Sequence, residues 1–380
     1  MATIPRRSAS TRRLPTRRIT AKDEEGRKRD RGALKESIEC SLRRSKEKNK
    51  KREEEKEERE KEKEKEREKE KEKAAVTDVW PGEAPARTFT EFLSVIRFKL
   101  EFDEVCSLPV DLKICKEYFA HPKRNRGDRR PHYDSNMVKP NGTTTANYVN
   151  ATKLSIPKFP KQVIFAQLPV SDAPGATEDF WRMVFEEQAT TMYILATKEE
   201  SKSNFSEYFP ITHGEHQTFG EMWLNNRKIE EMKQSDCTVY TMEVLPVNCS
   251  NSIMLTVYLY YGWPETIGPS GYAKLMKVIQ PLYKEGPETT TILASLHGSG
   301  RPGTCISIAI AIHLFNSGQE PKVREIVKMI RRQRPHAVDS IQHYGFIYLS
   351  LCFYLKRKLI DKTIIEKAEQ FMHCCNNQFY

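Results

Sequence analysis

The sequence predicts an α/β (α+β) fold, one twisted mixed sheet flanked by helices, and three observations carry that prediction. Short β-rich runs alternate with helical periodicity over residues 88–378. No internal repeat is present, so the strands and helices belong to a single architecture rather than to stacked units. The third is the stretch Thr291–Thr304, where an apolar strand-like segment enters a glycine-rich loop and then the apolar, helix-like run Cys305–Phe315. A loop of this kind aims successive N–H groups at one spot beside a helix N-terminus, which is a phosphate-binding arrangement.

The chain has 380 residues and a formal net charge of +11, and that charge is unevenly spread. Residues 1–73 hold 28 Lys and Arg against 19 Asp and Glu, so the remainder is close to neutral. The basic character therefore describes a tail, and no nucleic-acid partner is expected for the body. Residues 1–45, rich in Arg, Ser and Thr, are expected to be a disordered basic tail. Residues 46–75 are almost entirely Lys, Glu and Arg, have no apolar face, and are expected to form a solvated spacer or a single charged helix. Within them, Lys48–Arg52 has the composition of a nuclear import signal or of a plain charge run. Residues 76–87, with Pro and Gly, read as a linker, and the globular domain is expected over 88–378.

Helical spacing is read at Phe89–Glu101, Asp179–Gln188, Gly271–Tyr283 and Pro321–Arg331, and strands at Gln162–Ala166, Thr191–Ala196, Ser235–Val244, Ile253–Tyr261 and Thr289–Ala294. Nine cysteines without paired spacing, and an N-terminus without signal-peptide character, predict reduced thiols and a cytoplasmic chain, with the nucleus open to it. No apolar run reaches membrane-spanning length. No metal site and no cofactor are expected.

The loop Ser295-Leu296-His297-Gly298-Ser299-Gly300-Arg301 resembles the signature loop of classical protein tyrosine phosphatases, His-Cys-x5-Arg-Ser/Thr-Gly. Other landmarks follow in the family's order. Arg124-Asn125-Arg126 with His132-Tyr133-Asp134 is similar to Asn-Arg-Tyr…Tyr/Phe-Asp, and Asn147–Ala151 to Asp-Tyr-Ile-Asn-Ala. Asp179–Val184 resembles the family's helix almost letter for letter, Tyr208-Phe209-Pro210 its Tyr-Trp-Pro, Trp263-Pro264-Glu265 its mobile Trp-Pro-Asp loop, and Gln333-Arg334 with Gln342–Phe346 its C-terminal segment. So many landmarks in one order are far more specific than a single motif.

The resemblance implies four chemical parts, and this chain departs from each. The nucleophilic cysteine, whose thiolate the loop stabilises, is replaced by Ser295, and the preceding histidine by Ala294. Cys305 lies beyond Arg301 and reads as a core cysteine. The general-acid position is Glu265, one methylene longer than aspartate. The tyrosine that stacks on the substrate ring, a contact of about 0.5–1.5 kcal/mol beyond burial, is replaced by Gly127, and the substrate-backbone contact two residues on by Arg129. The water-positioning glutamine is replaced by Asp339, whose charge disfavours a dianion, while Gln342 is matched to the pattern's second glutamine. What remains is Arg301, the glycines of the loop and the helix behind it.

The resemblance therefore implies a catalytically inactive member that binds a phosphotyrosine-containing or otherwise phosphorylated protein as an adaptor or scaffold in signalling. Two alternatives stay open: an active or residual phosphatase using Arg301 and Glu265, and a module driven by the charged tail, which would take an acidic partner while the loop is a vestigial turn.

Overall fold

The computed structural model describes residues 80–379, apart from 128, 129, 143, 145, 203, 204, 264–268, 285, 287 and 360. The expectations for 1–45 and 46–75 lie outside the described residues, as do Pro264, Glu265 and Arg129.

The strands are β1 (Ala151–Leu154), β2 (Gln162–Gln167), β3 (Ala189–Leu195), β4 (His216–Phe219), β5 (Met222–Met232), β6 (Cys237–Pro246), β7 (Ile253–Tyr260) and β8 (Thr290–Ser295). They form one eight-stranded sheet in the order β1-β2-β8-β3-β7-β6-β5-β4. β8 is flanked by β2 and β3, both parallel to it, and β3 pairs in parallel with β7. The other neighbours are antiparallel, so the sheet is mixed, as the sequence predicts. Parallel strands need cover on both faces, which explains why β8 reads as a continuous apolar run with Ile292, Leu293 and Ala294 fully buried.

The helices are α1 (Glu83–Glu91), α2 (Val95–Cys106), α3 (Lys116–Ala120), α4 (Ala176–Glu186), α5 (Lys198–Ser201), α6 (Pro269–Val278), α7 (Gln280–Tyr283), α8 (Gly300–Asn316), α9 (Val323–Arg331), α10 (Ile341–Lys358) and α11 (Lys362–Phe379). Two apolar clusters cover the sheet. One joins side chains of α1, α2 and α6 to α11 with one set of strand residues, including Phe165, Tyr193 and Leu293. The other gathers Phe180, Trp181 and Val184 of α4 against Ile164, Ile194 and Ile292. Full burial of a side chain such as Ile308 or Phe315 of α8 contributes about 1.5–3 kcal/mol relative to exposure.

Several boundaries differ from the sequence expectations. The segment expected as a linker over 76–87 is already part of the fold from Trp80: its indole donates to Asn316 Oδ1 at 3.0 Å, and Ala86 of α1 is fully buried. The apolar contacts of one tryptophan and one alanine outweigh the local Pro and Gly content. The helix expected over Phe89–Glu101 is two helices. Ser94, extended, caps α2 by accepting the Arg97 N–H, which breaks the run that periodicity alone joins. β5 gives no clear strand pattern because its second half, from Arg227, carries polar side chains into solvent. It is held by a long antiparallel ladder to β6 instead.

Candidate functional site

Open parallel sheets leave a crevice beyond the carboxyl ends of their strands, and β8 ends there at Ser295. The loop Leu296–Ser299 then turns the chain into α8, and its geometry depends on glycine. Gly298 has φ +67°, and a Cβ there would come 2.4 Å from the Gln167 backbone nitrogen, so a side chain is excluded by conformation and by contact. Gln167 in turn fixes the neighbouring segment: its side chain accepts the Arg126 N–H at 2.8 Å and donates to the Arg124 carbonyl at 3.0 Å. The Arg126 guanidinium donates to the carbonyls of Leu168 and Pro169 and to Tyr208 Oη.

Ser295 is buried, and its Oγ accepts the Gly298 N–H at 3.0 Å. The oxygen thus takes one of the loop's amides. The N–H groups of Leu296, His297, Ser299, Gly300 and Arg301 have no protein acceptor among the described residues. Behind them lies the 17-residue helix α8, whose dipole favours an anion at this end. Cys305 is fully buried one turn into α8 and burial drives its thiol pKa far up, so it belongs to the core, as the sequence suggests.

Arg301 is held by a residue that sequence reasoning missed. Its Nη2 donates to Glu200 Oε1 at 3.0 Å, its Nη1 pairs with the other carboxylate oxygen, and Nη1 also donates to the Leu195 carbonyl at 3.0 Å. Glu200 is the third residue of α5 in a capping box with Thr197, which fixes the carboxylate before it meets the arginine. The Thr197-x-x-Glu200 spacing was legible as a helix start, but nothing local pointed it at Arg301.

Asp339 is placed against the same helix start. Its Oδ1 would lie 2.2 Å from a Cβ on Gly300, so glycine there is what lets the carboxylate approach. Oδ1 also takes the Nδ1 of His343 at 2.7 Å, while Oδ2 pairs with Arg130, which further donates to Ser299 Oγ at 3.2 Å. Burial alone would raise the Asp339 pKa, but the hydrogen bond from His343 and the charge and hydrogen bond of Arg130 prevail and hold it well below the usual carboxylate range. Trp263 is buried and donates its indole N–H to His343 Nε2 at 3.2 Å. Gln342, matched in sequence to the pattern's second glutamine, is exposed; one residue on, His343 turns inward, because successive helix positions differ by about 100°. Arg130 and His343 were not singled out by sequence reasoning; Arg130 carries no local signal for this pairing, whereas the four-residue spacing of Asp339 and His343 is one.

His297 donates from Nδ1 to the Arg126 carbonyl at 3.2 Å, and burial, with Arg130 next in weight, lowers its pKa. Gly127 has φ +81° and its carbonyl accepts Tyr118 Oη at 2.6 Å. Among the described residues a Cβ there would meet nothing within 4 Å, at the position where the resemblance expects a stacking ring. Among the described residues no group of His, Cys, Asp and Glu could hold a metal ion, and no helix is long and apolar enough to cross a membrane.

Residues 121–352 match the profile of the protein-tyrosine phosphatase family. The chain belongs to that family. Two Caenorhabditis elegans chains that carry tyrosine-protein phosphatase names are similar to it: C15H7.3 is 26% identical over 77% of this chain, and B0280.11 is 30% identical over 74%. This chain spans 72% of the first relative and 64% of the second. The crystal structure of the Trypanosoma cruzi protein tyrosine phosphatase TcPTP1 superposes with a TM-score of 0.61 at 20% identity, over 70% of this chain and 96% of that one. At that identity the likeness speaks for the fold. Membership in the phosphatase family fixes the architecture around Ser295; the chemistry depends on the side chains present.

Proposed function

We propose that this family member binds a phosphorylated protein segment at the loop Ser295–Arg301 without hydrolysing it, and serves as an adaptor or scaffold. The observation that carries the reading is Ser295: a serine stands where the loop requires an anionic nucleophile, and its Oγ is engaged by the Gly298 N–H and by no base among the described residues. A serine hydroxyl is not ionised near neutral pH and needs a neighbouring base to attack phosphorus. The Asp–His pair found nearby among the described residues, Asp339 with His343, directs its other ring nitrogen to Trp263 rather than to Ser295. Meanwhile the loop keeps N–H groups with no acceptor among the described residues, the α8 terminus and an arginine fixed by Glu200. These are the parts that bind an oxyanion, and they do not depend on the missing thiolate. The lack of a side chain at Gly127 supports a looser demand on the group that bears the phosphate.

The test is calorimetric titration of the full chain with tungstate, beside hydrolysis of p-nitrophenyl phosphate at high protein concentration. Binding that Arg301→Ala abolishes, without turnover, is the expected result. Turnover by the unaltered chain that disappears in Arg301→Ala would sink the non-catalytic reading in favour of a residual phosphatase. Absence of binding by tungstate and by the singly charged phenyl sulfate alike would make the loop vestigial and move the function elsewhere.

A further inference from the structure

Among the described residues, two ion pairs stand at the loop: Arg301 with Glu200, and Arg130 with Asp339. The second pair is the unusual one, because Asp339 does more than orient an arginine. Its carboxylate lies against Gly300, the first residue of α8, where an external anion would otherwise gain from the helix dipole. Its compensation is limited. The indole N–H of Trp263 can only donate, so His343 Nε2 must be the acceptor and Nδ1 must carry the proton toward Asp339. In that arrangement His343 is a neutral imidazole, and among the described residues Arg130 supplies the full positive charge paired with the carboxylate. His297, on the other side of Arg130, is likewise favoured in its neutral form.

We propose that the Arg130–Asp339 pair determines the ligand charge this site accepts: Asp339 acts as a resident anion at the start of α8, so the site favours tetrahedral oxyanion esters bearing one negative charge over dianionic phosphomonoesters. The proposal rests on the reading of the loop as an anion cradle. Its physical basis is that repulsion from a fixed carboxylate scales with ligand charge, whereas the hydrogen bonds offered by the loop depend on shape, which the two ester types share. The chemical class includes a sulfate monoester and a singly protonated phosphomonoester.

Phenyl sulfate and phenyl phosphate separate the two classes, since they have nearly the same shape and differ by one charge at pH 7.5. Their affinities for the full chain are measured for the unaltered protein, Asp339→Asn, Arg130→Met and Arg301→Ala, with thermal melts to establish folding. The unaltered chain is expected to bind phenyl sulfate at least as tightly as phenyl phosphate. Asp339→Asn is expected to shift the affinity ratio toward phenyl phosphate by about tenfold, and Arg130→Met to shift it the other way, so each variant tests the proposal if the other fails to fold. Arg301-dependent binding of both ligands, with a ratio that Asp339→Asn leaves within about twofold, overturns the selectivity while the cradle stands. If neither ligand binds any variant, the cradle reading fails and the selectivity falls with it.

Discussion

The loop leaving β8 and the segment entering α10 face each other across Gly300, and each holds its geometry by different means. In the loop the backbone decides: Gly298 takes a conformation and a proximity to Gln167 that no side chain permits, and β8 and α8 anchor both ends in the core. At Asp339 and His343 the side chains decide, through hydrogen bonds and charge to Arg130 and Trp263. The difference shows that the frame of the site and the side chains set in it are held independently. A frame fixed by backbone sterics and buried apolar surface does not depend on Ser295, Gly127 or Asp339, because none of them belongs to the apolar clusters that cover the sheet.

If that division is right, the largest effect should come from the backbone side. Gly298→Ala places a Cβ on the Gln167 backbone and a side chain at positive φ, so a loss of about 3 kcal/mol in urea unfolding is expected. A loss below about 1 kcal/mol would mean that the loop relaxes and is not sterically fixed.

Glu200 bridges the two means of support, since it both caps α5 and pairs with Arg301. Glu200→Ala removes both and is expected to cost about 2 kcal/mol, whereas Glu200→Gln keeps the cap and costs about half as much. Equal losses for the two variants would show that the ion pair alone matters.

On the side-chain side the effects shrink. Trp263→Phe preserves the buried ring but deletes the N–H that His343 accepts, and about 1 kcal/mol is expected by chemical denaturation. The smallest signature is in pH. Asp339 has a folded pKa depressed below its unfolded value, so its stabilising contribution is present above the unfolded pKa of about 3.9 and is lost as pH falls through the folded value. The stability difference between the unaltered chain and Asp339→Asn should therefore stay level above about pH 5 and narrow in stronger acid. A difference that grows in acid would refute the pairing with Arg130 and His343.

Much of the fold was legible in the sequence. Period-two and helical patterns located β2, β3, β6, β7 and β8 because their apolar residues are contiguous and locally ordered. They missed the split between α1 and α2, where one serine cap overrides a continuous apolar period, and β5, whose polar half is supported by its partner strand rather than by its own pattern. The early start of the fold at Trp80 was likewise hidden, since its contact with Asn316 spans 236 residues.

The sequence by itself determined the family, the mixed α/β architecture, the strand–loop–helix and the serine at its head, because each is written in consecutive residues whose spacing maps directly onto backbone geometry. Only the tertiary structure decided that Arg301 meets Glu200, 101 residues away, and that Trp263, His343, Asp339, Arg130 and Ser299 form one connected chain of contacts. Side-chain pairing at such separations depends on where each element carries its Cβ in space and on which charges are desolvated together. Those quantities belong to the packed molecule and have no local trace in the order of residues.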